Sequence, residues 1–257
     1  MIEKPGAVPV TRHGDMPVGP STTASHASSG NAEAKSRPTV QPQLEELIRA
    51  CLSLDYVSES CKDGIQTGNH YQSTFLGGVQ TEGFRADRSE FLDQLNFSGT
   101  RVLDLGSNLG ELSRSVRARG ADLVDGYEYD PFFVEVAHLL NAYNSTTRVS
   151  FFERDITAMA SYGGRYDVVM AFSVWTYVAP LLSMIHDMTD VFLVETHNLN
   201  GNLEQDYVRI LRRFFPHIQA LGKSDWGRTQ DPSGGRAVMV CATSLSALNQ
   251  VLLTGGP

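Results

Sequence analysis

Six side chains able to do chemistry recur at intervals that place them near the ends of successive predicted strands: Asp104, Glu128, Asp155, Ser173, Glu195 and His197. Directly after Asp104 comes Leu105-Gly106-Ser107-Asn108-Leu109-Gly110, a glycine-bracketed polar turn leading into a helical pattern with Leu112 and Val116. Glycines in such a turn let the backbone approach a ligand closely, and the helix start presents N–H groups to it. A carboxylate at Glu128, on the strand beside that turn, can accept both hydroxyl hydrogens of a ribose. Asp155 can take an adenine amino group while Ile156 packs on the ring. His197 can act as a general base near neutral pH. Each acid taken alone also reads as an ordinary strand-end residue capping the next helix, and a lone histidine as a packing residue. Four strand ends in register, each with a suitable group, favour a ligand.

Alternating strand and helix patterns are needed to hold these groups in place. The strands are predicted at 101–106, 122–128, 148–154, 166–172 and 190–196, with helices at 109–118, 131–144, 179–188 and 203–215. Asp130-Pro131 reads as a helix N-cap followed by proline at the first helical position. Two last β segments, 217–223 and 237–243, suggest an antiparallel hairpin. The fold class is therefore α/β: a doubly wound, Rossmann-like sheet of seven mostly parallel strands with a C-terminal antiparallel hairpin and a helical N-terminal cap. Ligands of such sheets bind at the carboxyl ends of the strands.

Three parts are expected along the chain. Residues 1–42 are rich in Ser, Thr, Gly, Ala and Pro and read as a disordered tail. Residues 43–98 form a helical cap and a segment that covers the cofactor or, equally, packs irregularly. It includes a helix to about Leu54, the aromatic and glycine-rich stretch 71–85, and a short helix over 86–95. Residues 99–257 form the ligand-binding domain.

Taken together, these motifs resemble the class I S-adenosylmethionine-dependent methyltransferases. Asp104-Leu-Gly-Ser-Asn-Leu-Gly110 is similar to the family's first motif, with Asn108 in place of the usual middle glycine. Gly126-Tyr-Glu-Tyr-Asp130 resembles the second, Arg154-Asp155-Ile156 the third, and Asp167-Val-Val-Met-Ala-Phe-Ser173 the fourth. The resemblance covers about residues 100–243. It implies S-adenosyl-L-methionine as cofactor, held by Asp104, Leu105, Gly106, Ser107, Asn108, Gly110, Glu128, Tyr129, Asp155, Ile156 and Ser173. Upstream, Gly77-Gly-Val-Gln-Thr-Glu-Gly-Phe-Arg85 is loosely similar to the tRNA wobble-uridine carboxymethylating enzymes; by that analogy Gln80 or Arg85 faces the cofactor's carboxylate. Methyl transfer from a sulfonium is an in-line displacement, so the enzyme must align the nucleophile and sometimes take its proton. His197, Tyr177 and Glu195 are the candidates for catalysis. His186 and Trp175, which can wall the substrate pocket, stand nearby in sequence, and Ser224-Asp-Trp-Gly-Arg228 is polar enough to approach the site.

Composition bounds the partners. The chain has 257 residues, 41% of them hydrophobic, and a formal net charge of −8. That balance gives no general attraction to nucleic acid. No apolar run is long enough to span a bilayer, and the start of the chain has no signal-peptide pattern, so a cytoplasmic location is expected. The three cysteines form no C-x-x-C pair, and no cluster suggests a metal. Phe172-Ser-Val-Trp175 does not fit the Asn/Asp-Pro-Pro-aromatic turn used on exocyclic amines, and no cysteine follows a proline as cytosine C5 methylation would want. The expected activity is methylation of a small-molecule acceptor at oxygen, nitrogen or carbon, with secondary metabolism as one setting. A tRNA-modifying methyl or carboxymethyl transferase and a non-catalytic S-adenosylmethionine-binding protein are the alternatives; the oligomeric state is not legible.

Overall fold

Strands whose residues are apolar on both faces need cover on both faces. Val102, Leu103 and Leu105 make such a run, as do Val168–Ala171 and Val191–Val194, all buried. The computed structural model describes residues 40–53, 74–76, 79–81, 88–158, 163–196, 204–224 and 235–253. Its elements are α1 (Val40–Ser53), β1 (Thr74–Leu76), β2 (Val79–Thr81), α2 (Arg88–Leu92), β3 (Arg101–Leu105), α3 (Glu111–Ala118), β4 (Leu123–Glu128), α4 (Pro131–Tyr143), β5 (Val149–Glu153) and β6 (Tyr166–Ala171). There follow α5 (Trp175–Val178), a 3-10 turn (Ala179–Leu181), α6 (Leu182–Met188), β7 (Thr189–Glu195), α7 (Glu204–Leu211), β8 (His217–Ser224), β9 (Arg236–Ala242) and α8 (Leu245–Val251).

The main sheet has seven strands in the order β5-β4-β3-β6-β7-β9-β8. β5 through β7 run parallel, while β9 pairs antiparallel with both β7 and β8. This is the mixed, Rossmann-like sheet that the alternating pattern predicted. One face packs Val102, Val124, Met170 and Leu193 under α3 and α8. The other packs Leu103, Leu105, Phe192 and Met239 under Trp175, Ile185 and Leu211 of α5, α6 and α7. Helix α1 lies on α4, where Ile48 meets Phe133, Val136 and Leu140, and the Tyr143 hydroxyl donates to Glu45 at 2.7 Å.

Several boundaries differ from expectation for identifiable reasons. The expected helix 179–188 is instead α5, a 3-10 turn and α6, because Pro180 lacks the N–H needed to continue a helix begun at Trp175. Helix α8 was not expected at all. Ser244 caps it, accepting from the Ala247 N–H at 3.1 Å. Helix α1 starts at Val40, inside the stretch expected to be a tail; residues 1–39, the rest of that tail, lie outside the described residues. A two-stranded antiparallel pair, β1 with β2, occupies part of the segment expected either to cover the cofactor or to pack irregularly. Among the described residues, no helix is long and apolar enough to cross a membrane.

Candidate active site

The parallel strands deliver their last residues to one edge of the sheet, and the chain leaves β3 there in a tight, left-handed turn. Gly106 has φ 76°, Asn108 φ 50° and Gly110 φ 78°. The amides of Gly106 and Ser107 both donate to the Tyr127 carbonyl, at 2.8 and 3.0 Å, and the Gly110 amide donates to the Ser107 carbonyl at 2.8 Å. The missing Cβ atoms face protein rather than open space. A Cβ on Gly106 would lie 2.5 Å from Val174 Cγ1, and one on Gly110 would lie 2.1 Å from the Phe151 ring. Glycine is thus required here by packing, which adds a constraint to the close ligand approach expected of the loop.

Glu128, the last residue of β4, is buried and holds this turn from the side. Its Oε2 accepts the Asn108 amide at 2.8 Å and its Oε1 the Asp130 amide at 3.0 Å. Burial pushes its carboxyl above the usual range, and the two amides oppose that. Asp104, in β3, is 2% exposed and accepts the Ser113 hydroxyl at 2.6 Å. Burial raises it to about 7; Ser113 and the Arg88 charge pull it down, while Glu128 pushes it up.

Asp104 carries a pH signature with a definite sign. The folded chain holds a proton on it that the unfolded chain, with an ordinary aspartate near pH ~3.9, has already released. The stability this proton confers is fully present below about pH 4 and is lost as the pH rises through about 7. Urea midpoints should therefore fall between about pH 5 and about pH 8. Asp104→Asn, which keeps an acceptor for Ser113, should flatten that fall; an unchanged slope would mean that Asp104 is ionised throughout.

The other predicted residues fall as follows. Tyr129 is half exposed beside Glu128. Asp155 is exposed and accepts the Thr157 amide at 2.8 Å and the Thr157 hydroxyl at 2.6 Å, which hold its carboxyl below the usual range. Ile156 is buried in the cluster with Tyr127. Tyr177 is 44% exposed on α5, one turn after Ser173. Trp175 is buried edge-on against Tyr207, with ring centroids 4.9 Å apart, so it belongs to the core rather than to a pocket wall. His186 sits at the end of α6 ahead of β7, against Phe215 and Asp187 and at the opposite edge of the sheet. Arg85, His197 and residues 225–228 lie outside the described residues, as does the side chain of Gln80.

Glu195, the last residue of β7, is wholly buried and crowded with donors. Arg88 meets it through Nε at 3.2 Å and Nη2 at 2.8 Å, Ser173 donates at 2.7 Å, and Ser224 donates as well. Arg236 stands 3.7 Å away. Four donors fill the roughly four lone-pair sites of a carboxylate. That arrangement fixes position rather than taking up a substrate proton.

Arg88 and Arg236 were not among the predicted residues. Arg88 carried a faint signal: it lies four and seven positions before Leu92 and Leu95, on the inner face of its short helix. An arginine on such a face must find a buried acid.

The turn at 106–110 also bears on the cofactor. Ser107 Oγ and Asn108 Oδ1 are buried with no hydrogen-bond partner among the described residues. Buried polar atoms are nearly always paired, so these two fit a polar ligand at the turn. A family model described as a methyltransferase domain matches residues 79–229. The chain belongs to that methyltransferase family. It is an enzyme of that class, and S-adenosylmethionine is its cofactor.

Among solved structures, the methyltransferase is similar to WbdD, a bifunctional kinase-methyltransferase. The inhibitor complex of WbdD matches with a TM-score of 0.56 and 19% identity, over 68% of this chain and 45% of that one. It is also similar to magnesium protoporphyrin IX methyltransferase from Synechocystis PCC 6803, with a TM-score of 0.49 and 19% identity over 61% of this chain and 76% of that one. The chain thus spans less than half the length of the WbdD chains, and the likeness is one of fold. No curated protein matches the sequence.

Proposed function

We propose that this methyltransferase acts on a small-molecule acceptor, with S-adenosylmethionine lying across the carboxyl ends of β3, β4, β5 and β6. The observation that carries the cofactor placement is the grip of Glu128 on the glycine turn. One carboxylate holds the Asn108 amide and keeps lone-pair capacity for the ribose hydroxyls. Asp104, Leu105 and the backbone of Gly106, Ser107, Asn108 and Gly110 surround the amino-acid end, where Asn108 Oδ1 gains a partner. Asp155, Ile156 and exposed Tyr129 flank the adenine and Ser173 closes the far side; the cofactor's carboxylate is assigned to Arg85 by the upstream resemblance alone. The cofactor supplies a methyl group on a positively charged sulfur. The chain's own task is to align the acceptor and exclude water. Tyr177 and His197 are the side chains assigned to the acceptor's proton, because the carboxylate of Glu195 is already committed.

The acidic balance of the chain, −8 overall, supports a small acceptor over RNA. A cytoplasmic setting belongs to the same reading; Cys241 is a buried thiol in β9. The deciding experiment supplies radiolabelled S-adenosylmethionine with either a low-molecular-weight metabolite pool or bulk tRNA. Label should enter the small-molecule fraction. Label entering tRNA, and suppressed as salt is added, would replace this proposal with the tRNA-modifying one.

A further inference from the structure

The partners of Glu195 come from three other parts of the chain. Arg88 reaches it across 107 residues of sequence, from the segment upstream of the main sheet. Ser173 comes from the turn after β6, and Ser224 and Arg236 come from the facing ends of β8 and β9. A buried ion pair is not by itself a source of stability, because the cost of desolvating both ions roughly offsets their attraction. What a two-point arginine–carboxylate contact fixes is geometry.

That geometry extends to the cofactor turn. Ser173 has φ 59°. A non-glycine residue in this conformation is strained and persists only where its neighbours over-determine it. Here the neighbours are Glu195, which accepts from the Ser173 hydroxyl, and Arg88 and Arg236, which both donate to it. The next residue, Val174, lies against Gly106 so closely that a Cβ would meet its Cγ1 at 2.5 Å. One carboxylate is therefore linked through two residues to the backbone of the turn.

We infer that Glu195 is a positioning residue for methyl transfer: by gripping Arg88 it latches α2 onto the carboxyl edge of the sheet, and by gripping Ser173 it holds Val174 against Gly106 so that the turn keeps its cofactor-binding form. This inference rests on the cofactor placement proposed above. It assigns Arg88 and Arg236 a shared task, the fixing of Ser173, and it explains why a strained serine stands at the end of β6.

Calorimetric titration of the full chain with S-adenosylhomocysteine tests it. Glu195→Gln should remain folded by circular dichroism yet bind at least about tenfold more weakly, the scale of one lost charge-assisted contact. Arg88→Met should do the same, and the double variant should be no worse than either single one, since both remove one latch. Arg88→Lys, which keeps the charge without the fork, should recover only part of the affinity. Asp93→Asn, which breaks the exposed Arg119–Asp93 pair just beyond α2, should bind like the wild type. If Glu195→Gln melts lower but binds within about twofold of wild type, the cluster is structural only and the inference fails. If Glu195→Gln does not fold, Ser173→Gly decides: it relaxes the strained φ while removing the hydroxyl, and full affinity in that variant would overturn the inference. Absence of binding by the wild type would instead overturn the cofactor placement, and the inference with it.

Discussion

Glu128→Ala is expected to weaken binding of S-adenosylhomocysteine by about a hundredfold or more. Two losses add. The ribose hydroxyls lose a carboxyl acceptor, worth about 0.5–1.5 kcal/mol for each hydrogen bond. The Asn108 and Asp130 amides lose the acceptors they now have at 2.8 and 3.0 Å, so the turn loses its tether to β4. Unmet buried amides cost about 1–3 kcal/mol each, and part of that cost falls on the bound form that needs the turn in place. Glu128→Gln separates the two effects. Its amide oxygen still accepts one backbone N–H, so its loss should be smaller, on the order of tenfold. Calorimetry on all three proteins reads the result. Near-wild-type affinity in Glu128→Ala would put the ribose elsewhere on the sheet edge, and a turn held by other contacts would then have to explain the fold of residues 106–110.

The sheet was legible because its strands are short, apolar and separated by helical periodicity, and because a parallel strand buried on both faces leaves little ambiguity. The cofactor edge was legible for a related reason: a strand end is where an apolar run stops, so an acid or serine at that point stands out. What the sequence did not expose was pairing over distance. Arg88 reads as one polar interruption on the inner face of a short helix, and Glu195 as one acid at a strand end beside His197. Nothing in their spacing says that a fork across 107 residues will occupy the carboxylate. The same limit applies to the glycines. Sequence reading gave them the task of admitting a ligand, but Val174 and Phe151 are the atoms that fill the space a Cβ would need. Helix α8 was missed although its Ser244 cap was in plain sight, since Leu245, Leu248 and Val251 offer too few apolar positions for a seven-residue helix to stand out.

Gly110→Ala should be among the most destabilising single-methyl changes in the domain, because two independent costs meet there. At φ 78° an L-residue pays about 1–2 kcal/mol for the left-handed conformation. The new Cβ would also stand 2.1 Å from the Phe151 ring, which Gly126 receives on another side, where its own Cβ would come within 2.6 Å. The ring is thus confined by two glycines, and moving it means overpacking, typically about 1–3 kcal/mol. The total, about 2–5 kcal/mol, is a large share of the 5–15 kcal/mol that holds an ordinary domain together, and the melting temperature should drop by roughly 10 °C. Gly99→Ala isolates the first cost. Its φ is 71°, and no described residue lies within 4 Å of the added Cβ, so it should lose only about 1–2 kcal/mol. Phe151→Ala isolates the second, since it opens the space that the Gly110 methyl needs. Combined with Gly110→Ala, it should destabilise by less than the sum of the two single changes, with a coupling above about 1 kcal/mol. Strict additivity would mean that the backbone conformation alone demands glycine. Coupling would mean that Gly110 is there to seat α3 on β5, and that the cofactor turn takes its shape from this packing.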